Sequence, residues 1–279
     1  MSGRTALLLG ATLAAVPLAH AARGGPAPAA PPGMVAIPAG SYAPLYRTPD
    51  STVAGRSAPA PRVAVEAFFI DERPVTNAEF LEFVGTHPAW RRSRVKAIHA
   101  DRGYLRHWAG DLELGPAAPP DSPVVSVSWF AAMAWCRAHG KRLPTVAQWE
   151  YVAAASAERR DATDDPRFLD FLRDWYARPV PPVLPPAGRT FRNAYGVWDL
   201  HGVIWEWTLD FNSALVTGES RADASIERTL YCGGAAAGAS DFTNYAAFMR
   251  FAFRSSLEAR YTVGSLGFRG AKAAAGSVP

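Results

Sequence analysis

The chain has 279 residues, a net charge of +4, 49% hydrophobic and 19% charged residues, and only two cysteines. That composition is globular and long enough to bury a real core, and it excludes a mainly disordered chain, a disulfide-dense scaffold and a four-cysteine zinc site. The basic side is almost entirely arginine, and a net charge this small, read as scattered, speaks against a nucleic-acid partner.

Residues 1–21 place Arg4 before an apolar run from Ala6 to Leu18, followed by Ala19-His20-Ala21 in a small-x-small pattern. This predicts a secretory signal cleaved after Ala21 and a periplasmic or secreted product. The run is shorter than the roughly 20 residues a spanning helix needs, and no later stretch suits a membrane span. Residues 22–33 are Pro- and Ala-rich and read as a linker, with one domain over 34–272 and a flexible tail over 273–279.

Residues 34–42 alternate and then turn, as a strand and its loop do, and Val63 to Ile70 is β-branched and aromatic enough for a second strand. Thr76 with Glu79 is a capping box, predicting a helix over about 77–85. Ser128 is suited to cap a helix that Gly140 stops. Thr145 with Gln148 repeats the capping box before Trp149, Val152 and Ala153, a helix to about Ser156. Residues 157–190 read as an insertion, with Asp165-Pro166 opening a helix that carries Phe168, Leu169, Leu172, Trp175 and Tyr176 on one side. Residues 193–208 read as turns and short strands. Helices early and short strands late favour a single α+β domain over an alternating βαβ fold.

In order along the chain stand Met34-Val35-x-Ile37-Pro38-x-Gly40, Pro74-Val75-Thr76-Asn77, Gly140-Lys141-Arg142-Leu143-Pro144-Thr145 with Trp149-Glu150-Tyr151, Trp205-Glu206-Trp207, Gly233-Gly234, Phe253-Arg254-Ser255 and Leu266-Gly267-Phe268-Arg269. The ordered set resembles the sulfatase-modifying-factor, or formylglycine-generating-enzyme, family over about residues 34–272. The resemblance implies a variant of the C-type-lectin fold with little regular secondary structure.

In the generating enzymes, a segment between two of these motifs carries two cysteines that bind copper and oxidise a sulfatase cysteine to formylglycine. Soft thiolates suit Cu(I). Here residues 233–256 contain no cysteine, so copper is not expected at the family's usual site. The family's calcium pattern places Asn after the glycine that precedes the Trp-Glu-Trp turn. Here Val203 follows Gly202, leaving Glu206 and the Ile204 backbone carbonyl as oxygen ligands and calcium as an open possibility. The segment that makes the other calcium site is replaced by the 157–190 insertion. The chain is most similar to exported members without the cysteine pair, such as accessory proteins encoded with copper nitrite reductases and periplasmic pyoverdine-maturation proteins.

Cys136 is expected as a small buried hydrophobe, with a Cys136–Cys232 disulfide permitted but not favoured. The family partner of Cys136 would fall at Gly270. Cys232, Arg254 and Ser255 are the catalytic candidates, and Trp205, Asp241, Tyr245 and Arg254 the substrate-binding ones. Arg254 is suited to hold a carboxylate or carbonyl of a ligand, or to bridge to Glu206 or Asp241. His107 and His201, with Asp199 or Asp241, permit a transition-metal site of two histidines and a carboxylate. Two functions follow. One is an accessory or maturation factor acting on a periplasmic protein or peptide. The other is an oxidoreductase with a His/carboxylate metal site, or a formylglycine generator.

Overall fold

The computed structural model describes residues 29–42, 62–211 and 245–274. The predicted signal, Cys232 and Asp241 lie outside them. The chain is one α+β domain of short strands and a few helices. Strands β1 (Met34–Ile37), β2 (Gly40–Tyr42), β3 (Val63–Val65) and β4 (Phe68–Asp71) come first, then helices α1 (Asn77–Thr86), α2 (Trp129–Ala138), α3 (Val146–Ala153) and α4 (Pro166–Tyr176). Strand β5 (Trp205–Glu206), helix α5 (Tyr245–Ser255) and strands β6 (Leu266–Gly267) and β7 (Ala271–Ala273) follow. Strand β4 is central in an antiparallel sheet of order β1-β4-β7, which ties the first and last segments together. The stretch 63–70 thus divides into two strands, because β3 turns away to pair with β2 while β4 joins the sheet. Among the described residues no helix is long and apolar enough to cross a membrane.

Both capping boxes form. Thr76 and Glu79 satisfy each other's backbone at the start of α1, and Thr145 and Gln148 do the same for α3. Ser128 caps α2 through its hydroxyl. Helix α3 stops three residues short of Ser156, whose hydroxyl accepts the amides of Glu158 and Arg159 and so starts a turn. Asn77 is buried and ties three segments. It donates to the Pro119 and Ser122 carbonyls and accepts the Trp108 indole N–H at 3.1 Å.

The main core packs Phe80, Phe83, Trp108, Trp135, Trp207 and Phe268. A second cluster sets Trp149 and Val152 of α3 against Ile37, Phe68 and Ile70 of the sheet. Between them lies a fully buried ion pair. Arg269 reaches Glu206 through Nε and Nη2 at 2.7–3.0 Å, and donates to the Asp71 and Trp198 carbonyls as well. Trp149 donates its indole N–H to the same carboxylate at 2.8 Å.

The segment 157–190 is anchored through α4 and again at Leu184 beyond it. Phe168 and Leu172 bury against Ala162, while Leu184 packs on Val125, Val203 and Ile204. Trp175, near the C-terminus of α4, lies directly over Gly202, which has φ +96°. A Cβ at Gly202 would coincide with the indole nitrogen. We therefore expect Gly202→Ala to expel Trp175 and cost about 3 kcal/mol, combining backbone strain at positive φ with steric displacement. Urea unfolding measures the loss, and increased amide exchange in α4 locates it. An unchanged midpoint would mean that Trp175 does not sit there.

Candidate functional site

Helix α5 carries Arg250 and Arg254 one turn apart, so both face the same way. Opposite them, on α3, is Glu150. Arg250 grips its carboxylate with Nε and Nη2 at 3.0 and 2.9 Å, and Arg254 adds Nη1 at 2.5 Å. Burial alone pushes the Glu150 carboxyl up, but the charges and hydrogen bonds of the two guanidinium groups outweigh it and bring the pKa to about 2. The three groups together keep one positive charge. Arg250 is 3% exposed, and its buried Nη1 has no hydrogen-bond partner. Aromatic rings wall the cluster. Arg254 lies 4.9 Å and Arg250 5.5 Å from the Trp149 ring centre. Trp205 stacks on Phe253 at 4.5 Å, and Tyr176 of α4 leans on Trp205 at 5.3 Å. A surplus guanidinium among aromatic faces is suited to an acceptor such as a carboxylate or peptide carbonyl.

Trp205 and Arg254 are thus brought together. Tyr245 opens α5 and Ser255 closes it. Arg254 meets Glu150 rather than Glu206, whose carboxylate is already held by Arg269. The sequence expectations name Tyr245 and Arg254 as substrate contacts, but they place no helix over these residues and give Glu150 no role. The Arg-x-x-x-Arg spacing was the signal that pointed to a helix.

His201 and His107 have no surroundings in common. His201 is fully buried among Trp149, Phe168, Tyr176 and Phe191. Its Nε2–H donates to the Ala153 carbonyl at 2.8 Å, leaving Nδ1 to face the Tyr176 hydroxyl at 3.3 Å. Burial, then the Arg250 charge, pushes its pKa down to about 3, so it is neutral. His107 lines a cavity of about 160 Å³ with Asn77, Ser122 and Leu184. Burial and Arg106 lower its pKa to about 4. Asp199 accepts from the Gly188 amide and from the amide and hydroxyl of Thr190, and so holds a turn. Among the described residues no three His, Cys, Asp or Glu side chains are grouped to hold a metal ion.

Of the expected calcium donors, the Glu206 carboxylate does not suit the ion, because Arg269 already neutralises it and it also accepts from Trp149. Of the chain's two cysteines, only Cys136 lies among the described residues. Cys136 is a free thiol, wholly buried in the main core, and burial, then Asp71, pushes its pKa up. Gly270 has no side chain to offer it, and a Cβ there would meet Asp71 Oδ2 at 2.7 Å.

Residues 21–274 match the family model described as the sulfatase-modifying factor enzyme 1-like domain. The chain belongs to the sulfatase-modifying factor family. Among relatives in this family, the formylglycine-generating enzyme of Streptomyces coelicolor is 32% identical over 72% of this chain and 77% of its own length. The formylglycine-generating enzyme of Bos taurus is 30% identical over 66% of this chain and 59% of its own length, so the chain spans about three fifths of that relative. A Mus musculus relative named inactive C-alpha-formylglycine-generating enzyme 2 is 30% identical over 63% of this chain and 68% of its own length. The Glu150 cluster and the buried Glu206–Arg269 pair are therefore features of a sulfatase-modifying factor domain whose residues 233–256 lack cysteine.

Proposed function

We propose that this sulfatase-modifying factor domain is an exported accessory or maturation factor that binds a periplasmic protein or peptide, such as a copper nitrite reductase, without the family's copper chemistry. The observation that carries this reading is the surplus positive charge of Arg250 and Arg254 over Glu150, set beside the Trp205–Phe253 stack. Such a site holds a backbone carbonyl or carboxylate by charge-assisted hydrogen bonds and packs the rest of an extended segment on aromatic faces. The absence of cysteine from residues 233–256 removes the soft ligands that the oxidative reaction requires. The name of the inactive mouse relative is consistent with a domain retained without that reaction. The leading apolar segment and its Ala19-His20-Ala21 site support export.

A strain lacking this chain tests the proposal. The activity of a periplasmic metalloprotein should fall, and be restored by the wild-type gene but not by Arg254→Ala. Stoichiometric copper or iron in the purified chain, lost in His107→Ala, His201→Ala or Cys232→Ala, would overturn it in favour of an oxidoreductase. Conversion of the cysteine of a sulfatase peptide to an aldehyde would do the same in favour of formylglycine generation.

A further inference from the structure

A second face of the molecule concentrates the charge that the composition as a whole disguises. Between Arg91 and Trp108 stand Arg91, Arg92, Arg94, Lys96, Arg102 and Arg106, with Asp101 as the only carboxylate. This stretch by itself accounts for the net positive charge of the whole chain. It folds so that Arg92, Arg102 and Arg106, joined by Arg260 from beyond α5, line an open groove of about 560 Å³.

The acid in that groove is already engaged. Asp101 accepts from the Gly103 amide at 2.8 Å and from the Thr262 amide and hydroxyl. Arg92 is fixed by donating to the Trp108 carbonyl, and Arg260 shares its charge with Glu258 at 3.2 Å. Arg102 and Arg106 are exposed and form no ion pair among the described residues. Uncompensated guanidinium groups on one wall attract an anionic partner and steer its approach.

The groove also has an apolar edge. Ile98, between the lining residues Ala97 and Ala100, is 70% exposed, more than any other large hydrophobic described. Next to it His99 stacks on Trp90 and lies tilted against Phe130, with ring centres 5.6 and 5.4 Å away. The stack with His99 occupies a face of Trp90 that a single-stranded nucleic-acid base would stack on. A protein segment, in contrast, supplies carboxylates for Arg102 and Arg106 together with an apolar side chain for Ile98.

We infer that this groove docks an acidic, apolar-containing segment of a partner protein, with Arg102 and Arg106 taking its carboxylates and Ile98 its apolar residue. None of these residues belongs to the Glu150 cluster, so the inference goes beyond the function proposed above and does not depend on it.

The test titrates a fluorescein-labelled peptide of alternating glutamate and leucine into the full chain and follows anisotropy. Binding should weaken with added salt. The double variant Arg102→Glu/Arg106→Glu should weaken it at least about tenfold and Ile98→Asp about threefold, with circular dichroism spectra unchanged because all three side chains face solvent. A peptide with glutamine for glutamate should not bind. Absence of binding at low salt, equal affinity for the glutamine peptide, or tighter binding of oligothymidylate than of the acidic peptide would overturn the inference.

Discussion

Replacing Arg269 by methionine should lower the free energy of unfolding by about 4 kcal/mol, the scale expected when one partner of a wholly buried ion pair is removed. Neither Glu206 nor Arg269 exposes any of its side chain. Methionine has a comparable apolar stem, so the loss comes from stranding the Glu206 charge and from unsatisfied Asp71 and Trp198 carbonyls rather than from a large cavity. The double variant Glu206→Gln/Arg269→Met removes both charges. It should be less destabilised than the sum of the two single variants, because the stranded charge is counted in each single variant and is absent from the double. Urea unfolding of the four proteins completes the cycle. Additive effects would show that the pair is not coupled, and a loss below about 1 kcal/mol in Arg269→Met would show that the carboxylate has another partner or reaches water.

The second large effect is pH-dependent. Glu150 titrates near 2 in the folded chain against an ordinary value of 4.5, and it is the folded-state pKa that is depressed. Its contribution is therefore fully present above the unfolded-state value and is lost as pH falls from about 4.5 through about 2. Glu150→Gln should cost about 3 kcal/mol at neutral pH, since it leaves one buried and one partly buried guanidinium group facing a neutral amide. The gap between variant and wild type should then narrow as acid protonates the wild-type carboxyl. Urea midpoints at pH 7 and near pH 3 measure it. A gap of constant size across that window would mean that Glu150 keeps its charge for a reason other than Arg250 and Arg254.

Much of the architecture was legible because its signals are local. Thr76 with Glu79 and Thr145 with Gln148 are three residues apart, and a hydroxyl that caps its own helix does so wherever the helix packs. The single α+β domain and the family followed from motifs kept in order along the chain. Other features were misjudged for equally physical reasons. Helix α5 sets Arg250 in the interior, where sequence patterning expects an apolar residue, and the carboxylate that balances its charge comes from α3, 100 positions away. The positive charge looked scattered because it was counted over the whole chain, whereas the fold sets Arg260 beside residues 92–106.

The sequence by itself determined that this chain belongs to the sulfatase-modifying factor family and that residues 233–256 hold no cysteine for the family's copper. Only the tertiary structure decided which acid meets which arginine. Glu150, Glu206, Arg254 and Arg269 all stand in recognisable motifs, yet the pairs that form, Glu150 with Arg254 and Glu206 with Arg269, join residues 104 and 63 positions apart. Coulomb attraction carries no label for its partner. Whether Arg254 serves Glu150 or Glu206 depends on α3 presenting Glu150 to α5 and on Arg269 already holding Glu206 next to Trp149, and that geometry exists only once the chain has folded.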